Sequence, residues 1–120
     1  MTTHHKDWPN MAATLNPAVR ELRLGSPETM AAFGEMAKAA LAPKALDTKT
    51  KELMALAIGV AVRCDACLAY HAEAARKHGA TREEISETLA LAVYMGAGPS
   101  VMYAAQALEA FDQWSEKAAV

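Results

Sequence analysis

The stretch from Thr48 to Val62, "TKTKELMALAIGVAV", constrains this chain more than any other, because at helical period it leaves almost no polar face after Glu52. A helix that is apolar nearly all round has to be buried on every side. The segment is therefore expected at the centre of a helical assembly, with Leu53, Leu56 and Val60 among its packing residues. The rest of the chain agrees in period: alanine, leucine, methionine and glutamate fill the periodic segments, and no strand-like alternation stands out. The expected fold class is all-α, a bundle of five or six helices.

Local signals divide the chain further. Residues 1–25 read as an N-terminal segment, loose to about Asn16, in which Pro17 opens a short helix that stops at Gly25. Residues 26–120 read as the main helical domain. There Ser26 caps a second helix, with Pro27 at its first position and Glu28 at the positive end of the dipole, and that helix stops before Pro43. Asp47 or Thr48 opens the third, and a fourth ends on Arg76, Lys77 and His78 before Gly79. "TREE", with Thr81 and Glu84, forms a capping box, and Ile85, Leu89 and Val93 line one face of the helix that follows. "GAGPS" interrupts that helix, and Pro99 starts a last one running to about Trp114.

With 120 residues, 52% of them apolar, the chain is long enough to bury roughly two thirds of its unfolded surface as one domain and needs no disulfide staple. The opening "MTTHHKDWPN" has no apolar core after its charges, and the longest apolar run, Leu53 to Val62, is about half a membrane span. The expected setting is cytoplasmic, with no membrane partner. In that reducing compartment a cysteine pair points to metal binding or redox chemistry and not to a resting staple. A net charge of -2 supplies no basic face for phosphate backbones, so nucleic acid is not an expected partner. His4 and His5 are read as part of a frayed polar terminus and not as metal ligands.

The chemistry concentrates in "VRCDACLAYHAEAARKHG", residues 62–79, which contains both cysteines of the chain. At about 100° per residue, Cys64, Cys67 and His71 fall within an arc of roughly 60° on one helix face, where they can act on one another. With the helix starting near Arg63, Cys64 lies in its first turn, where the dipole and free N–H groups stabilise a thiolate; Arg63 adds a positive charge that Asp65 partly opposes. Glu52 is the only carboxylate of the buried-looking third helix. In one unbroken helix it would lie about 18 Å from Cys64 along the axis, whereas a reversal near Arg63 brings it within about one turn of His71. Glu52, His71 and Cys67 then form a proton relay.

Other readings of the same residues stand beside this one. Cys64, Cys67 and His71 with Glu52 as a fourth ligand would make a zinc site, although structural zinc sites usually spread their ligands over two elements and use more thiolates. His71 and Glu52 can also be ordinary hydrogen-bonded residues. His78, at a basic helix end, is read as a dipole partner, Tyr70, Tyr94 and Tyr103 as packing, and the seven methionines as core or subunit contact.

The segments "TKELMALAIGVAVRCDACLAYHAEAARKHGATREEI" and "AVYMGAGPSVMYAAQALEAF" resemble the carboxymuconolactone decarboxylase and alkylhydroperoxidase D-like family, over roughly Ser26 to Trp114. The family pattern of a glutamate followed by Cys-x-x-Cys-x-x-x-His falls on Glu52, Cys64, Cys67 and His71. The resemblance implies an all-helical fold, oligomers from dimers to trimers and hexamers, and no metal or organic cofactor. For members with both cysteines it implies a thiol peroxidase or disulfide reductase recycled by an external dithiol. Some alkylhydroperoxidase D-type members have a second histidine just before the second cysteine, where this sequence has Ala66. The lactone decarboxylases of the family work without the cysteine pair.

The expected catalytic set is thus Glu52, Cys64, Cys67 and His71, with a hydroperoxide or disulfide as substrate and a dithiol or thioredoxin-like protein as reductant. The alternatives are a lyase or other small-molecule enzyme that uses His71 and Glu52 for proton transfer, and a zinc-binding or interaction protein. The chain is expected to form a homo-oligomer, because so short a bundle has few places to bury the third helix completely. Faces around Met95, Val101 and Met102 are the candidate contacts, and a trimer or hexamer follows from the resemblance.

Overall fold

A computed structural model of the chain describes residues 3–120. It contains five helices: α1 (Trp8–Gly25), α2 (Pro27–Leu41), α3 (Thr48–Ala61), α4 (Asp65–Lys77) and α5 (Arg82–Ala119). No strand occurs among the described residues. Helices α3, α4 and α5 pack mutually and form the centre, α1 lies across α4 and α5, and α2 touches only α1 and α3.

The N-terminal half differs most from expectation. The helix starts at Trp8 and runs straight through Pro17 instead of beginning there. Its true start is written in "DWPN": the Asp7 carboxylate accepts the Asn10 N–H at 3.1 Å, and Pro9 occupies a position in the first turn where no N–H is needed. Nor is the terminus frayed from His5 onward. Glu109 on α5 accepts the N–H groups of His5 (2.8 Å) and Lys6 (3.1 Å) and the Trp8 indole N–H (2.8 Å). Gln113 accepts the Trp8 N–H at 2.8 Å and donates to the Lys6 carbonyl at 2.7 Å. Trp8 is completely buried, and burying so large a side chain outweighs the cost of ordering the few residues before it. Residues 1 and 2 of the expected N-terminal segment lie outside the described part.

Helix α2 starts after Ser26 as expected, but the Ser26 side chain makes no capping hydrogen bond. The capping box of α5 is complete: Glu84 N–H donates to the Thr81 hydroxyl, and the Glu84 carboxylate accepts the Thr81 N–H. The "GAGPS" break lies inside a single long element, as a kink with Ala97 at φ 54° and ψ −142°. Gly96 is required there, since a Cβ on it would stand 1.9 Å from the Ser100 hydroxyl oxygen.

The expectation that the third helix is buried on all sides fails for the single chain. Leu56, Gly59, Val60 and Glu52 face α4 and α5, whereas Met54 and Ile58 on the open side are about half exposed. Tyr94, read as packing, is 80% exposed. By length and mean hydropathy α5 alone among the described helices would pass for a membrane span. It instead buries Ile85, Leu89, Ala104, Ala107 and Phe111 in the core, and its remaining apolar side chains face outward from the single chain.

The turn between α3 and α4 decides the site. Val62 ends α3, Arg63 follows at φ 59°, and Cys64 begins the next helix as its N-cap. Cys64 N–H donates to the Gly59 carbonyl (3.0 Å) and Arg63 N–H to the Val60 carbonyl (3.3 Å), the paired bonds of a Schellman ending. The same pair closes α4, where Ala80 bonds to Ala75, Gly79 bonds to Arg76, and Gly79 takes φ 89°. At α3 a bulkier residue holds the left-handed conformation, and its guanidinium donates to the carbonyls of Val60 (3.1 Å) and Ala61 (2.7 Å). These bonds offset part of the roughly 1–2 kcal/mol that a non-glycine residue costs there. Arg63→Gly exchanges the bonds for conformational freedom, so stability in urea should change by about 1 kcal/mol or less. Arg63→Val loses the bonds and adds β-branching at positive φ, and should be less stable than the glycine variant by about 1–3 kcal/mol. Equal stability of the two variants would show that this conformation does not hold the turn.

Candidate active site

The reversal at Arg63 lays α4 antiparallel against α3 and brings Glu52, Cys64, Cys67 and His71 to one place. Close approach requires Gly59: a Cβ there would lie 3.2 Å from the Cys67 Cβ and 3.4 Å from Leu68 Cδ2. With no side chain at that position, α4 settles directly on the α3 backbone.

Glu52 is buried, with only 4% of its surface exposed, and its Oε1 lies 2.6 Å from His71 Nδ1. A buried carboxylate needs a charged or hydrogen-bonding partner, and His71 is that partner. An ionised carboxylate can only accept, so the hydrogen between them belongs to Nδ1 and the lone pair of the ring is left on Nε2. The imidazole is about one-third exposed. It is therefore fixed at one edge, and the ring as a whole remains within reach of solvent or a small molecule. Cys67 lies one turn before it on the same helix face.

Cys64 and Cys67 are joined as a disulfide, with Cα atoms 5.2 Å apart. The bond closes a loop too short to contribute much as a cross-link, and the helices around it are held by their own packing. Sequence reasoning placed Cys64 in the first turn of α4. The structure places it one position earlier, as the N-cap, with its Sγ accepting the Cys67 N–H at 3.2 Å. Both cysteines are half-buried.

Two contributions were not legible as site features. Arg63 matters through its backbone, and nothing in its residue type announces a left-handed conformation. Lys6, far away in sequence, reaches the first residue of α4, with its Nζ 2.5 Å from Asp65 Oδ2 and 2.8 Å from Gln106 Oε1. The hydrogen bond from Lys6 holds the Asp65 carboxyl below its usual range. As for metal, no group of three or more His, Cys, Asp or Glu side chains among the described residues is arranged to hold an ion.

Comparison with known proteins places this geometry in context. The carboxymuconolactone decarboxylase family matches residues 27–110. An uncharacterized protein of Cupriavidus necator is 41% identical over 98 residues, covering 82% of this chain and 87% of its own length. An uncharacterized protein of Haemophilus influenzae is 37% identical over 105 residues, covering 88% and 93%. Among solved structures, a carboxymuconolactone decarboxylase family protein of Legionella pneumophila in its apo form superposes with a TM-score of 0.88 at 46% identity, over 90% of this chain and 96% of that one. A family member from Thermotoga maritima, for which an antioxidative role has been suggested, gives 0.80 at 28% identity, over 90% and 92%. The matched span contains the glutamate, both cysteines and the histidine along with the helices that assemble them, and the chain belongs to the carboxymuconolactone decarboxylase family.

Proposed function

We propose that this protein is a thiol-dependent peroxidase, reducing a hydroperoxide with its own cysteine pair and recycled by an external dithiol or thioredoxin-like donor. The observation that carries the reading is the contact of buried Glu52 with His71, one helical turn from a cysteine that is already paired with a second. The antioxidative role suggested for the Thermotoga relative points the same way.

The steps follow from the residues. In the reduced protein His71, oriented through Nδ1 by Glu52, takes the Cys67 proton on Nε2, directly or through a water. The Cys67 thiolate attacks the nearer oxygen of the hydroperoxide and the O–O bond breaks. Sulfur gains the hydroxyl as a sulfenic acid, and the alkoxide leaves with the proton from His71 as an alcohol. Cys64 then gives up its proton, attacks the sulfenic sulfur as a thiolate stabilised by the N–H groups at the start of α4, and the hydroxyl leaves with that proton as water, forming the disulfide. A donor dithiol reduces that bond by two successive exchanges and leaves as its own disulfide. Ala66 stands where some relatives have a second histidine, so this scheme rests on His71 as its single base. In a lyase the thiols would be bystanders. The apposition of the two sulfurs at the head of the helix favours the redox reading.

The same reading includes a homo-oligomer, with a trimer or hexamer suggested by the family. The chain exposes 7647 Å², whereas a compact monomer of its 12.8 kDa mass should expose about 6,300 Å². The excess is apolar in part: Ile58, Leu91 and Met95 line a cavity of about 380 Å³ between α3 and α5, and α2 buries no residue at all in the single chain. Exposed apolar area on this scale marks an interaction surface.

Treated with hydroperoxide in the presence of a sulfenate-specific probe, Cys64→Ser should accumulate label on Cys67, and Cys67→Ser should accumulate little on Cys64. If both single variants keep full thiol-dependent turnover, or the double Cys→Ser variant keeps the protein's activity, the redox reading is wrong and the lyase reading takes its place. Light scattering at micromolar concentration should give a multiple of the chain mass. A monomer mass would contradict the assembly.

A further inference from the structure

Residues His5 to Trp8 lie before residues 27–110, which the family model matches, and they are fastened to α5 by Glu109 and Gln113, while Lys6 among them makes a charged contact with the helix that carries the cysteines. Asp65 is the residue between Cys64 and Ala66, in the first turn of α4. A carboxylate there suits the helix dipole but opposes negative charge on the neighbouring sulfurs. Lys6 meets it at 2.5 Å, with both side chains only about one-third exposed, so the pair is partly shielded from solvent. Lys6 is itself held on two further sides: Gln106 accepts from Nζ at 2.8 Å, and the Trp8 ring centroid lies 5.4 Å from it. An ammonium gripped by three groups is placed more firmly than one on a free surface side chain.

We propose that Lys6 is a positioning residue for the thiol chemistry, an N-terminal strap that neutralises Asp65 and so keeps the head of α4 receptive to a cysteine thiolate. The proposal rests on the thiol reading above but does not depend on the oxidant. The groups around Asp65 are few. Lys6 and His5 face it from the strap and Tyr103 from α5, while Arg63, next to Cys64 in the turn, lies over the Tyr103 ring at 5.8 Å. Glu109 is engaged by the strap's own N–H groups and the Trp8 indole. His71 and Glu52 lie on the far side of Cys67 and couple to it through the helix face already described. Removing the ammonium leaves the Asp65 charge uncompensated beside the cysteines. The thiolates then become harder to form and the disulfide harder to reduce, because the reduced state is the one that loses stabilisation.

The test uses the reduced full-length protein and iodoacetamide, so it reads thiolate formation without any peroxide. Alkylation of each cysteine is followed by mass spectrometry across pH for wild type, Lys6→Met, Lys6→Arg, Asp65→Asn and Lys6→Met with Asp65→Asn. Lys6→Met should slow alkylation near neutral pH about 3–10-fold and move its pH midpoint upward, the scale of one uncompensated charge nearby in a partly shielded site. Lys6→Arg should stay within about 2-fold of wild type. Asp65→Asn added to Lys6→Met should restore the rate, and the midpoint potential of the pair in glutathione buffers should fall in Lys6→Met and recover in the double variant. An unchanged Lys6→Met profile would overturn the proposal. So would a slowed profile that Asp65→Asn fails to restore, since the strap would then act only by holding the fold. If the alkylation pattern holds but hydroperoxide fails to oxidise the protein, the oxidant in the functional reading is wrong and the role of Lys6 stands.

Discussion

Everything at the head of α4 depends on how closely α4 lies against α3. The α3 helix has a buried carboxylate near its start and a glycine near its end. The glycine lets the Cys67 Cβ come within 3.2 Å of where a side chain would begin, and the carboxylate meets His71 at 2.6 Å. These contacts constrain each other. A larger residue at position 59 would push the helices apart, and a carboxylate buried without its histidine would carry a desolvation cost of several kcal/mol. The turn at Arg63 sets the register between them and delivers Cys64 as a helix cap in the same step.

In the proposed scheme the proton acceptor, the attacking sulfur and the second sulfur come from two adjacent helices and one turn. The more distant parts of the chain contribute charge and packing. Helix α5 supplies the anchor for the N-terminal strap through Glu109, whose carboxyl is subject to burial that would raise its proton affinity, more than offset by the N–H groups of His5, Trp8 and Lys6. Large apolar side chains on α2 and on the outer sides of α3 and α5, Phe33, Met36, Ile58 and Met95 among them, stay exposed in the single chain.

Much of this was legible in the sequence because the signals were local and periodic. The placement of Cys64, Cys67 and His71 on one face needs only the helical repeat, and the Thr81–Glu84 box announces its helix unaided. The Glu52–His71 contact was legible one level higher, as a consequence of reversing the chain near Arg63. The residue that makes the reversal carries no glycine signal, so its left-handed conformation could not be read. At the N-terminus the error had a definite cause: Pro17 looked like a helix start, whereas nine residues of helix precede it, held by a buried tryptophan whose partners lie about a hundred positions away. A distant tertiary contact overrides a local propensity there. The third helix was legible as too apolar for one short bundle to cover, and in the single chain Met54 and Ile58 on its open side remain about half exposed.

The central claim is that Glu52 acts on Cys67 through His71. The most direct measurement is the single-turnover rate at which the reduced protein consumes a stoichiometric hydroperoxide, followed by rapid acid quench and thiol counting, in wild type and in Glu52→Gln. Glutamine keeps the size and can still accept a hydrogen bond from Nδ1, but it removes the negative charge beside the histidine. The account predicts that the first step slows by about 100-fold, the scale of an impaired general base, while the folded protein keeps its helical spectrum. Equal first-step rates in the two proteins would contradict it and reduce the Glu52–His71 pair to a contact that merely holds two helices together.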